Sequence, residues 1–76
     1  MKFENGIELD GSVSRILYKD LKDIFDRGDS VGKVIEATEL ELFNYYTCAN
    51  YTGIMDFNTF KNSCIQAGAK IVGESI

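Results

Sequence analysis

Apolar and polar positions change their period several times along this chain, and each change marks an element. From Lys2 to Leu9 apolar residues alternate with charged ones on either side of Asn5-Gly6. Alternation is the strand period, and Asn-Gly suits a type I′ turn with both central residues at positive φ, so the segment predicts an N-terminal β-hairpin. Asp10-Gly11-Ser12 breaks that pattern. Beyond it Val13, Ile16, Leu17, Leu21, Ile24 and Phe25 recur at spacings of three and four, which places them on one face of a helix capped by Ser12 or Ser14. The other face carries Arg15, Lys19, Lys22, Asp23 and Asp26; Lys19 with Asp23 and Lys22 with Asp26 are four apart and able to pair along the surface. Gly28 predicts the helix end near Arg27.

Between Asp29 and Ala37 the alternation of Val31, Lys33 and Ile35 predicts a short strand or extended loop, with Gly32 opposing a helix. Thr38-Glu39-Leu40-Glu41 has the spacing of a capping box, in which the threonine side chain accepts from the third amide and Glu41 reaches back to the threonine amide. A second helix over residues 39–49 follows. It carries Leu40, Leu42, Phe43, Tyr45, Tyr46, Cys48 and Ala49, more apolar surface than a single stripe requires. Thr52-Gly53 predicts a turn, and Asp56 caps a third helix through Ala67 with Phe57, Phe60, Cys64 and Ile65 on one face and Gly68 as its stop. Ala69 to Val72 predicts a last short strand. These elements give an α+β class: a hairpin, three helices and a C-terminal strand. No repeat, linker or low-complexity stretch divides residues 1–76, so they are expected to form one domain.

Composition narrows the chemistry. The chain has 76 residues with no histidine, no proline and no tryptophan. Without histidine the commonest general base and transition-metal ligand is absent. Cys48 and Cys64 stand apart with no CxxC pair, which leaves too few thiolates for a four-ligand zinc site and points to reduced core cysteines. No apolar run approaches a membrane span, and acids with Asn-Gly occupy the N-terminal stretch where a signal peptide is apolar, so a cytoplasmic protein is expected. A chain this short buries a modest fraction of its surface, which makes a homodimer or a partner a natural source of further burial and leaves little room for a catalytic pocket. The expectation is a non-enzymatic protein with no cofactor and no metal.

Cys48 to Phe60 resembles the loop and exit of an EF-hand: Gly53 falls at loop position six, Met55 at position eight, and Asp56-Phe57 with Phe60 at the start of the exiting helix. The resemblance implies a protein-binding helix pair without calcium, because the ligand positions one, three, five and twelve hold Cys48, Asn50, Thr52 and Thr59 and no carboxylate. The order helix, Thr52-Gly53 turn, helix also fits a helix-turn-helix regulator, with Asn58, Thr59, Lys61, Asn62 and Gln66 toward base edges. Direct nucleic-acid binding is disfavoured, since that reader has a single lysine to set against phosphates.

Charge placement is more specific. The net charge of −4 falls entirely between the consecutive bases Lys33 and Lys61, where Glu36, Glu39, Glu41 and Asp56 occur with no lysine or arginine. The same window holds six of the nine aromatics: Phe43, Tyr45, Tyr46, Tyr51, Phe57 and Phe60. Carboxylates beside tyrosines would form a face for a basic protein, built from Glu36, Glu39, Glu41, Tyr45, Tyr46, Tyr51 and Asp56. Carboxylates standing where phosphates stand on a nucleic acid are also how a DNA-mimicking inhibitor works. In size, acidity and richness in Lys, Asn, Ile, Phe and Tyr the chain is similar to the short accessory proteins that phages encode against host factors. The expected function is therefore a small inhibitor or regulator of a basic, nucleic-acid-binding protein.

Overall fold

A computed structural model describes residues 1–29 and 31–73. In chain order the elements are β1 (Lys2–Phe3), α1 (Ser14–Asp26), β2 (Val34–Ala37), α2 (Glu39–Cys48), a 3-10 turn (Tyr51–Gly53), α3 (Phe57–Gln66) and β3 (Lys70–Ile71). The strands form one sheet in the order β1-β2-β3, with β1 antiparallel and β3 parallel to β2. The parallel step from β2 to β3 is the long connection that contains α2 and α3, as parallel neighbours require. The fold is thus α+β, with three helices and the hairpin and C-terminal strand anticipated from the chain.

The core draws on every element. Phe3, Leu17 and Leu42 are fully buried, and Leu21, Ile24, Val31, Val34, Ala37, Tyr46, Phe60 and Ala69 join them in one cluster. Phe3 leaves the N-terminal strand to meet α2, its ring lying edge-on to Tyr45 at 5.6 Å between centroids. A strand of two residues cannot hold itself in place, so this ring and the pairing Phe3↔Val34 fix the N-terminus on the sheet.

Three local expectations are corrected. The hairpin tip is not a type I′ turn: of Asn5-Gly6 only Gly6 has positive φ (93°). The Phe3 carbonyl accepts from the Gly6 amide at 3.0 Å and the Phe3 amide donates to the Ile7 carbonyl at 2.9 Å, which closes a three-residue loop through a glycine bulge. The reason lies across the sheet, where the Glu4 and Asn5 amides donate to the carbonyls of Lys33 and Val31. The second arm is reduced to one bridge, Lys2↔Glu8, because β2 takes the rest of the pairing. Secondly, neither Ser12 nor Ser14 caps α1; the cap position is Val13, and Asp10 Oδ1 instead accepts from the Ser12 amide in a turn. Thirdly, only Leu17, Leu21 and Ile24 of the expected α1 face are buried, whereas Val13, Ile16 and Phe25 flank them in the open. The outer-face pair Lys22–Asp26 forms at 3.4 Å.

The burial of α1 gives a direct contrast. Leu17→Ala, at a fully buried position of the helix, is expected to cost about 2–5 kcal/mol, comparable with the whole stability of a domain of this size. Ile16→Ala, on the same apolar face but exposed, is expected to cost less than about 1 kcal/mol. Chemical denaturation of the two variants measures both; equal losses would contradict the placement of α1.

Candidate functional site

The start of α2 is built by its own sequence. Thr38 Oγ1 accepts from the Glu41 amide at 3.1 Å, and Glu41 Oε1 accepts from the Thr38 amide at 2.9 Å, completing the capping box. The second oxygen of Glu41 faces inward, accepting from the Met1 ammonium at 2.9 Å and the Gly11 amide at 3.5 Å. The backbones approach closely here: a Cβ on Gly11 would stand 3.2 Å from the Glu41 Cα, tighter than ordinary contact. Asn44, one turn on, donates its side-chain amide to the Gly11 carbonyl. Burial pushes the Glu41 carboxyl up, but the Thr38 amide, the Met1 ammonium and the Gly11 amide outweigh it and hold the group below its ordinary value.

The seven residues expected to form one acidic, tyrosine-bearing face are placed differently from one another. Glu41 is internal, its side chain 14% exposed. Glu39 is half-exposed on the first turn of α2 and is paired with Lys61 of α3. Glu36 lies on β2 between Lys2 and Lys70 of the flanking strands, with Lys2 Nζ at 3.8 Å. Asp56 is exposed at the start of α3, where its carboxylate accepts from the Thr59 amide at 2.8 Å; that bond holds its carboxyl below the ordinary value. Three of the four carboxylates in the base-free window thus meet a cation brought from outside it.

The tyrosines turn inward. Tyr46 is 7% exposed, donates its hydroxyl to the Met55 carbonyl at 2.7 Å, and packs its ring on Phe57 and Phe60. Half-buried Tyr45 lies edge-on to Phe60 as well as Phe3, and burial raises its hydroxyl pKa. Tyr51 is half-buried with its ring 4.9 Å from that of Phe60. Each tyrosine is therefore a packing residue first.

Outward, α2 presents two large apolar side chains together with Thr47. Leu40 is 52% and Phe43 46% exposed, and with half-buried Phe57 of α3 and Glu39 they line a shallow hollow. Phe43 and Phe57 meet edge-on at 5.1 Å, which fixes the hollow's floor. Sequence reasoning did not single out Leu40 or Phe43, because the crowded apolar pattern of α2 gives no single stripe to orient it. The Glu39–Lys61 pair was also missed; its partners are 22 apart and belong to separate helices, outside any local spacing rule.

The other motifs resolve as follows. In the stretch resembling an EF-hand the left-handed residue is Asn50 (φ 62°), not Gly53, and the chain turns through a 3-10 segment. The exposed polar residues of α3 include Asn58, Thr59, Asn62 and Gln66, while its one base, Lys61, faces Glu39. Both cysteines are free thiols, and burial pushes each above its ordinary pKa, away from nucleophilic activation. Among the described residues no three acidic or thiol side chains are grouped to hold a metal ion, and no helix is long and apolar enough to cross a membrane. Comparison with known protein families, with characterised proteins and with solved structures finds no match for the chain.

The Glu41 network has a pH signature. Its folded carboxyl titrates below the ordinary value, so its contribution is full at neutral pH and is lost as pH falls through the folded value. Glu41→Ala is expected to lower stability by about 1–2 kcal/mol at neutral pH, from the lost cap and the amides left without an acceptor. Glu41→Gln, which keeps part of the cap, is expected to flatten the fall of melting temperature below the ordinary glutamate range; an unchanged acid profile would contradict this role.

Proposed function

We propose that the chain is a small non-enzymatic binding module that docks a basic, amphipathic segment of a protein partner on the Leu40, Phe43 and Phe57 patch. It would act in the cytoplasm as an inhibitor or regulator of that partner. The observation that carries this reading is the outward pairing of Leu40 and Phe43 on α2, beside half-buried Phe57. Large apolar side chains exposed together mark interaction surfaces more often than singly exposed ones. The rim supplies the sign of the partner: Glu39 lines the hollow, Asp56 precedes Phe57, and the chain from 34 to 60 has no base. Lys61, the nearest cation in sequence, is held by Glu39, and a partner's lysine or arginine can compete for that carboxylate.

Support goes to an apolar anchor with an acidic rim rather than to a row of carboxylates imitating DNA. Mimicry needs carboxylates that remain open, and Glu36, Glu39 and Glu41 each have a cation beside them. The same pairing of Lys61 leaves the helix-turn-helix reading without a free cation on α3 to set against phosphates.

The test is a nuclear magnetic resonance titration with a helical Leu/Lys peptide and with a Leu/Glu peptide of the same apolar pattern. The Lys peptide is expected to shift resonances of α2 and the start of α3, with affinity falling as salt rises. The double variant Leu40→Ser/Phe43→Ser is expected to keep its fold, both side chains being exposed, and to bind at least ~10-fold more weakly. Equal binding of the acidic peptide, or unchanged binding by the double variant, would overturn the reading.

A further inference from the structure

Two contacts define the register in which α2 and α3 face each other. The Phe43 and Phe57 rings meet at 5.1 Å, and the Lys61 ammonium of α3 donates to Glu39 Oε2 of α2. Glu39 and Phe43 are four apart in sequence, and so are Phe57 and Lys61. Each helix therefore carries its ring and its charge on one side, a single turn apart, and the two run antiparallel. The ion pair stands roughly 5–6 Å along the seam from the ring pair, the separation of side chains one turn apart. Glu39 lines the same hollow as Leu40, Phe43 and Phe57. An apolar floor thus ends, one turn along, at a carboxylate that already holds a cation.

That cation sets a requirement on whatever docks beside it. A lysine brought to Glu39 exchanges one ammonium for another, and it must also release Lys61, whose side chain is only 28% exposed. A guanidinium gains more. Its planar fork takes both oxygens of a carboxylate, it is more weakly hydrated than an ammonium, and it lies flat against aromatic faces such as those in this hollow. Glu39 offers it an opening, because Lys61 takes Oε2 and among the described residues no bond reaches Oε1. Asp56, the neighbouring acid on α3, does not compete for this role. Its carboxylate accepts from the Thr59 amide as a helix cap and lies outside the lining of the hollow.

We infer that the docked segment is a helix recognised through an arginine three or four residues from its apolar anchor, the anchor lying on Leu40, Phe43 and Phe57 and the guanidinium on Glu39. Lys61 is the selectivity device: it holds the carboxylate against a lysine and yields it to an arginine. This inference rests on the docking of a basic segment at the patch, and adds to it the identity and spacing of the cation.

The test is a titration of the full chain with three helical peptides of equal length and charge. The first has arginine four residues from its anchor leucine, the second has that arginine moved to the opposite side of the helix, and the third has lysine in the first position. The first is expected to bind about 5-fold more tightly than either of the others, the upper range for a partly exposed ion pair. Glu39→Gln is expected to abolish that lead while the second peptide binds as before. Lys61→Met is expected to narrow the lead by strengthening the lysine peptide. Circular dichroism checks that both variants, altered at solvent-accessible side chains, keep their helices. Equal binding of the three peptides, or a lead that survives Glu39→Gln, would overturn the arginine inference and leave the docking reading standing. Absence of binding by every peptide would overturn both.

Discussion

The rings of α2 and α3 hold this fold together. Tyr46 packs on Phe57 and Phe60, Tyr45 on Phe60 and Phe3, and Tyr51 on Phe60, so that one side chain of α3 gathers three tyrosines. With no tryptophan and three short strands, the chain has few other large groups with which to fill its interior. Aromatic rings supply much buried area each, and edge-on contacts add a directional component to it. The hydroxyl of Tyr46 is accommodated by the Met55 carbonyl, which anchors the 3-10 turn to α2. That inward commitment decides what the outside can be: once the tyrosines face the core, the large apolar side chains left outward on α2 are Leu40 and Phe43, beside exposed Thr47.

Charge follows a similar logic. Along the chain the acids of the base-free window look like an uncompensated block, but folding brings Lys2, Lys61 and the Met1 ammonium to three of them. Net charge is a property of composition, whereas an electrostatic face depends on which charges end up adjacent. On α1 bases and acids balance in number and interleave along the helix, with Lys22 paired to Asp26 on its surface.

Local rules read much of the fold correctly. The Thr38-x-x-Glu41 box, the Asp56 cap, the end of α1 before Gly28 and the strand within 29–37 all depend on contacts within a few residues, and the chain spells those out. Contacts between distant segments are what it concealed. The turn at Asn5-Gly6 departs from type I′ because residues 31 and 33 take the tip amides. The α1 stripe was read too wide because spacing locates a face but not how much of it a neighbour covers; Leu17, Leu21 and Ile24 are covered, and Ile16 and Phe25 are not. For α2, apolar residues on nearly all sides erased the signal that would have told Tyr46 from Phe43. The candidate patch was legible as a region, since its residues lie in the window singled out for its aromatics and acids, but not as particular side chains.

The central claim is the partition of α2 into an inward tyrosine side and an outward Leu40–Phe43 side. Hydroxyl-radical footprinting of the dilute native chain, read residue by residue by mass spectrometry, measures it directly. The account predicts rapid labelling of Leu40 and Phe43, with Tyr46, Phe60 and Phe3 protected until denaturant is added. Labelling of Tyr46 in the native chain as fast as that of Phe43 would contradict it.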